Sequence, residues 1–371
     1  MITSFYLKQF KIYLFYLKEI FLNRANFTNF YLGYNKEYLP KDLKNIIDKF
    51  LNSDSKKMIS GWWSYNNIKD IKSLTQKGIQ NYGEIFLHYY TWYDWVDEEI
   101  SGLLNNLKND YIEEKVNIFK KHNGLSHNQS FRLNFLILSL YIYLKKQKEF
   151  SFLENLQDAS FCENGHPYIT IDDKNISFDK VNSLIELSEI NSFNLLSNNM
   201  NILEIGAGSG RLADTICSNY SNIKYIICDI PLAIYISYFR IKKRFNNKKI
   251  LLAIDCNSEE DIFNKINSND IIFIFPHQLK LIKKTFFDLT IAISSLHEMS
   301  KDTIKYYMNI INTTSKNLYF TVWEKTTIPF SLTNETLLAN KNYFVNRDWT
   351  ELASKKNYFP SNFIQKVYKI N

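Results

Sequence analysis

Glycine and proline are scarce in this chain, ten and six among 371 residues. Flexible linkers, proline-rich recognition segments and collagen-like repeats are thereby excluded, and no internal repeat points to a solenoid or a propeller. Cysteine is rarer still. Cys162, Cys217, Cys228 and Cys256 are far apart and form no C-x-x-C pair, which leaves neither a disulfide framework nor a structural zinc site and fits a reducing cytoplasm. Cys228, inside an apolar run, is expected to be a buried small hydrophobe.

Long apolar stretches are missing too. The segment from Met1 to Asn23 is rich in Phe, Tyr, Leu and Ile, but Lys8, Lys11, Lys18 and Glu19 interrupt it. Its longest uncharged piece after Lys11, Ile12 to Leu17, is far too short to cross a bilayer, and no small-residue cleavage site follows. An amphipathic helix packed on this or a partner subunit is expected, with peripheral membrane contact through that helix as the alternative. Charge of one sign is not concentrated either: 45 basic against 38 acidic residues give a formal net charge of +7. The densest basic stretch, Arg240, Lys242, Lys243, Arg244, Lys248 and Lys249, reads as a solvated helix face, so no nucleic-acid partner is expected. Glu163, His166 and Asp173 match no ligand spacing, and no metal is expected.

Against that scarcity, three of the ten glycines fall within five residues, Gly206, Ala207, Gly208, Ser209 and Gly210, directly after the apolar run around Ile202, Leu203 and Ile205. Such clustering implies positive φ or close approach of the backbone to something bound. Around it the pattern is regular. Up to about Leu144 apolar residues recur at helical spacing; Tyr168 to Ile171 is strand-like beside the turn at Gly165, His166 and Pro167. From Asn201 on, short apolar runs alternate with helical stretches, with strands expected at 201–205, 224–228, 250–254, 271–275, 289–294 and 318–323. That alternation predicts an α/β, Rossmann-like, mostly parallel doubly wound sheet with ligands beyond the strands' carboxyl ends. The expected division is a mainly helical N-terminal domain over 1–185, for substrate binding or dimerisation, and a cofactor-binding domain over 186–371.

The turn reads G-x-G-x-G, with Arg211 where a dinucleotide fingerprint would place its third glycine. Preceded by Leu203, Glu204 and Ile205, it resembles the first motif of class I S-adenosylmethionine-dependent methyltransferases. Its main-chain amides are expected to face the ligand. Asp229, at the end of the second strand, is placed to accept both ribose hydroxyls. Asp229, Ile230 and Pro231 resemble the Asp-Leu-Pro signature of O-methyltransferases, which puts Ile230 against adenine. Pro276, His277 and Gln278 fall where that superfamily contacts adenine. The resemblance therefore implies S-adenosylmethionine as cofactor, held by Glu204, Gly206, Ala207, Gly208, Gly210, Asp229, Ile230, His277, Gln278 and Ser295.

Methyl transfer to an alcohol needs alignment and a proton acceptor. The strand ending at Ser294 runs into Ser295, Leu296, His297, Glu298 and Met299, and His297 has the right intrinsic basicity. Glu324, at the end of the next strand, is expected to orient it; plant O-methyltransferases carry a similar His-Asp-Trp and strand-end Glu. A nearer resemblance is to the bacterial sugar O-methyltransferase family: Gly165 to Pro167; Asn182, Ser183 and Glu186; Gly206 to Gly210; Asp229 to Pro231; Pro276 to Gln278; and Ser295 to Met299 follow its motif order. It implies methyl transfer to a sugar hydroxyl of a capsule or lipopolysaccharide glycan or its precursor, His297 being the base. A small-molecule or glycan substrate and a homodimer are the expected partners. The aromatic cluster Tyr89, Tyr90, Trp92, Tyr93 and Trp95 reads as helix-packing core or as a sugar platform. A methyltransferase for another hydroxyl, a nicotinamide-dependent oxidoreductase and a non-catalytic binding protein are the competing readings.

Overall fold

The computed structural model describes residues 39–85, 99, 102, 115–161, 163, 165–327, 336–339, 341 and 343–371. The expectations for Met1 to Asn23, the cluster from Tyr89 to Trp95, and Cys162 lie outside these.

The N-terminal part is helical, as the periodicity predicts: α1 (Lys41–Leu51), α2 (Gly61–Lys77) and α3 (His127–Leu144). Local chemistry sets their starts. Ser60 caps α2 by accepting from the Trp63 amide at 3.3 Å, and Ser126 with Gln129 forms a capping box on α3. A short antiparallel hairpin follows, β1 (Tyr168–Ile171) and β2 (Lys174–Ser177), leading into α4 (Phe178–Asn191), capped by Ser177. α4 is continuous through residue 185, so the expected division at 185/186 falls mid-helix rather than at a linker.

The second part alternates β3 (Asn201–Ile205), α5 (Arg211–Asn219), β4 (Lys224–Cys228), α6 (Pro231–Arg244), β5 (Ile250–Leu252), α7 (Glu259–Ser268), β6 (Ile271–Ile274), β7 (Leu289–Ile293), α8 (Lys301–Thr314) and β8 (Asn317–Trp323). The small pair β9 (Lys325–Thr327) and β10 (Thr336–Leu338) precedes the long hairpin β11 (Thr350–Lys356) and β12 (Phe363–Lys369). The large sheet runs β11-β12-β8-β7-β3-β4-β6-β5. From β8 to β5 every pairing is parallel, while β12 joins β8 antiparallel. This is the expected Rossmann-like, mostly parallel doubly wound sheet.

Both faces of the sheet are covered, which explains the near-continuous apolar strands. Strand alternation sends Ile202, Tyr225, Ile227, Ile271 and Phe273 into one core with α1, α3, α4, α5 and α6. Leu203, Ile205, Ile226, Cys228, Ile272 and Ile274 enter the other, against α7 and α8. Cys228 is fully buried, as expected. Glu204 lies between Leu203 and Ile205, so the same alternation turns its carboxylate to the face that α4 covers. Successive strands leave β3 in opposite directions, β4 to one side and β7 to the other; a crevice opens at such a reversal.

The basic stretch does not form one solvated face. Lys242, Lys243 and Lys249 are exposed, but Arg240 is buried between Asp179 at 3.4 Å and Asp214 at 3.7 Å, with its guanidinium 4.3 Å from the Phe161 ring centroid. Arg244 also pairs with Asp214, at 3.2 Å. The helix turns its arginines inward and its lysines outward, because a planar guanidinium can satisfy two buried carboxylates and an aromatic face together.

Candidate active site

A cavity of about 340 Å³ lies at the β3/β7 reversal, within the roughly 300–1,000 Å³ typical of small-molecule sites. Its floor is the glycine turn with Glu204, and Ile230, Ile293 and Ser294 contribute from neighbouring strand ends. Helix α4 supplies Asp179, Asn182 and Glu186, and α2 supplies Trp63, Asn67 and Asp70. The site is therefore assembled from both parts of the chain.

The three glycines of the turn serve different ends. All have positive φ, +75° at Gly206, +59° at Gly208 and +73° at Gly210. A Cβ on Gly206 would stand 2.5 Å from the Ser295 Cβ, and one on Gly210 3.0 Å from the Ser237 Cβ. These two glycines let the turn nest against β7 and α6. At Gly208 nothing lies within 4 Å, so its bare backbone faces open space. The three glycine amides are engaged within the protein rather than turned to the cavity. The Gly206 N–H donates to Cys228 O, Gly208 N–H to Asp229 Oδ2 at 2.9 Å, and Gly210 N–H to Ala207 O. The neighbouring strand end, through Cys228 O and Asp229, takes two of these donors and the turn itself takes the third.

Of the residues expected to bind cofactor, Glu204, Gly206, Ala207, Gly208 and Ile230 line the cavity. Glu204 is buried and pushed up to about 7 by burial, with its bond from Tyr225 Oη at 2.8 Å and then Arg211 pulling the other way. Asp229 accepts from the Gly208 and Ile230 amides, yet burial still raises it to about 7. It buttresses the turn from behind. Ser295 donates to Ile205 O at 2.9 Å and so pins the β7 exit to the β3 exit.

His277 and Gln278 stand outside the lining of this cavity. Gln278 is wholly buried: its Oε1 accepts from the Phe275 amide, and its Nε2 donates to Ala253 O at 2.8 Å and Cys256 O at 3.0 Å. Every polar function of that side chain ties the end of β6 to the exit of β5. His277 is bound to Ser55, through Nδ1 to Oγ at 2.8 Å and through its own amide at 2.9 Å. It fastens the segment after α1 to the sheet, and neither residue lines the cavity.

The expected His297–Glu324 pair does not form. His297 is buried edge-on against Trp323 and Phe363, with ring centroids 6.2 and 5.4 Å away, and its Nδ1 has no hydrogen-bond partner. Burial pushes it down to about 3. Glu324 is exposed and pairs with Lys356 at 3.6 Å. The preceding position, Trp323, turns towards His297, so Glu324 turns away from it.

The sequence reading did not single out what stands opposite the turn. Glu298, quoted only within a motif, lines the cavity and accepts from Trp63 Nε1 at 2.8 Å. Burial raises its carboxyl to about 8, against the opposing effect of the indole bond. Asn67 Oδ1 and Asn182 Oδ1, both on residues of the cavity wall, are buried without a hydrogen-bond partner. Such atoms carry a desolvation penalty that a bound polar group would relieve. Among the described residues no group of His, Cys, Asp and Glu could hold a metal ion, and no helix is long and apolar enough to cross a membrane.

No family model and no curated protein matches the chain. Solved structures do. A SAM-dependent methyltransferase from Aquifex aeolicus is 11% identical, TM-score 0.33, over 50% of this chain and 89% of its own. An S-adenosylmethionine-dependent methyltransferase from Clostridium acetobutylicum is 12% identical, TM-score 0.32, over 51% and 90%. The bifunctional kinase-methyltransferase WbdD is 11% identical, TM-score 0.34, and the match spans 51% of this chain and 39% of WbdD.

Proposed function

We propose that the chain is an S-adenosylmethionine-dependent O-methyltransferase whose acceptor is a sugar hydroxyl. The observation that carries this reading is the open face of Gly208 beside Glu204, at the floor of a cavity placed at the strand reversal. The residues fit the donor. A backbone with no Cβ faces open space, a carboxylate held near neutrality lies next to it, and two carbonyl oxygens on the wall lack partners. Glu204, Ala207, Gly208 and Ile230 would hold the donor, with Asp229 keeping the turn in shape from behind. When bound, the donor supplies an activated methyl carbon, a reactivity that is its own.

The chain's part is placement and the exclusion of water. α2 and α4 close over the turn, and the indole of Trp63 beside Asn67, Asp70 and Glu298 gives a flat apolar face next to polar groups. That combination suits a pyranose, which has apolar faces and a polar rim. The motif order shared with the sugar O-methyltransferase family supports the same acceptor class. Calorimetry with S-adenosylmethionine and NADH tests the donor assignment. The expected result is saturable binding of the first alone, and preference for NADH would sink it.

A further inference from the structure

We infer that Glu298 is the group that binds the acceptor hydroxyl and takes its proton. The inference rests on the donor reading above and replaces His297 in that role. Three observations place Glu298 there. It lines the cavity together with the glycine turn, whereas His297 is turned into the Trp323 and Phe363 rings. Its carboxylate is held on one side only: Oε2 accepts the Trp63 indole N–H, and Oε1 accepts no bond from the described residues. Its backbone is fixed by the turn Leu296–Glu298, whose Glu298 amide donates to Ser295 O at 3.1 Å, and Ser295 is bonded to the β3 exit. A 3₁₀ turn rotates about a third of a circle per residue. His297 and Glu298 therefore face different ways, and only the second faces the cavity.

The charged surroundings favour a proton acceptor that works near neutral pH. Asp229, at the end of β4, raises the Glu298 carboxyl beyond what burial does. Around the cavity stand Asp70 from α2, Asp179 and Glu186 from α4, and Glu204 and Arg211 beside the turn. Arg211 is engaged by Glu186, and His166 is pushed down to about 4 by burial and stays neutral. Burial and the nearby Asp229 carboxylate make the ionised Glu298 carboxylate more basic than in water. In the step, Glu298 Oε1 removes the proton of the acceptor hydroxyl as that oxygen bonds to the methyl carbon. The carbon–sulfur bond breaks with its electron pair left on sulfur. A methyl ether, a thioether and a protonated Glu298 result, and the proton then passes to water.

Two measurements on the full chain test this. In ¹⁵N-indole spectra of the ligand-free protein, the Trp63 resonance, assigned with Trp63→Phe, is expected to titrate with a midpoint near 8. Glu298→Gln is expected to abolish that titration, and a wild-type resonance that does not move overturns the inference. Methyl transfer from labelled S-adenosylmethionine to a panel of methyl glycosides and nucleotide-linked hexoses then reads the step itself. Glu298→Gln is expected to lower kcat by about 100-fold or more, with S-adenosylhomocysteine affinity unchanged and partial recovery in Glu298→Asp. Full activity in Glu298→Gln overturns the role. If nothing on the panel is methylated, methyl glycosides are added to the S-adenosylhomocysteine complex. A Trp63 shift lost in Glu298→Gln supports the hydroxyl contact, and no shift in wild type overturns it. Failure of the wild type to bind S-adenosylmethionine at all defeats the donor reading instead, a separate result.

Discussion

Arg211 grips Glu186 with both ends of its guanidinium, Nη1 to Oε2 at 2.7 Å and Nη2 to Oε1 at 2.6 Å. Arg211 opens α5 directly after the glycine turn and Glu186 belongs to α4, so this parallel pair of bonds fixes the roof of the cavity to its floor. Ser183, one turn earlier on α4, accepts a third bond from Nη1 at 3.1 Å.

Glu186→Gln is therefore expected to cost about 1.5–3 kcal/mol, the range for hydrogen bonds to charged groups. The urea midpoint should fall while the slope stays constant. Donor affinity should fall with it, because the roof loses its register. An unchanged midpoint would show the pair to be incidental.

Gly206→Ala and Gly208→Ala should separate packing from binding. Both force a side chain into positive φ, at about 1–2 kcal/mol. Gly206→Ala adds the collision with Ser295 and is expected to be much the less stable of the two. Gly208→Ala is expected to fold, with the new methyl group in the cavity weakening S-adenosylmethionine binding. Equal stability and equal binding in the pair would contradict the division of roles.

Stability should depend on pH in a particular direction. Glu204 and Asp229 at about 7 and Glu298 at about 8 keep protons in the folded chain that the unfolded chain has released from about pH 4 upward. Stability is therefore lost as pH rises towards 8. His166 at about 4 and His297 at about 3 act oppositely. There the unfolded chain binds more protons until about pH 6.5, so stability is gained up to that point. The two sets offset each other below about 6.5, and the decline should emerge between there and pH 8. Urea unfolding at stepped pH reads it, and Glu298→Gln should flatten its upper end. A curve that rises across that window would refute the burial argument.

Trp63→Phe removes the one bond that holds the Glu298 carboxyl down against burial. Its titration, followed by carboxyl ¹³C resonance, should move to higher pH. A shift to lower pH would mean that water replaces the indole.

Much of the sheet was legible because its signal is local. Apolar runs and their spacing located all six expected strands, with Ile250–Leu252, Ile271–Ile274 and Leu289–Ile293 ending slightly earlier than expected and Asn317–Trp323 starting one residue sooner. The glycine turn stood out because the chain has so few glycines. Direction was harder to read. Position at a strand end does not tell which way His297, Glu298 or Glu324 points, since a 3₁₀ turn follows one strand and pleat alternation governs the other. Gln278 occupied a plausible ligand position, but the β6 exit needed its amide for two carbonyls and an N–H. Trp63 stood out only as half of a tryptophan pair, read like the other aromatics as packing core or sugar platform, and Asn67 and Asp70 left no mark: they reach the cavity through the packing of α2, which no local pattern encodes.

That wall is written in the polypeptide before any strand of the large sheet begins, whereas the seat of Glu204 and the glycines comes well after it. Drift in the early segment can thus retune what is recognised without disturbing the turn. On the proposed reading, exchanging it between kindred chains is expected to shift acceptor preference, provided that Trp63, which holds Glu298, is kept.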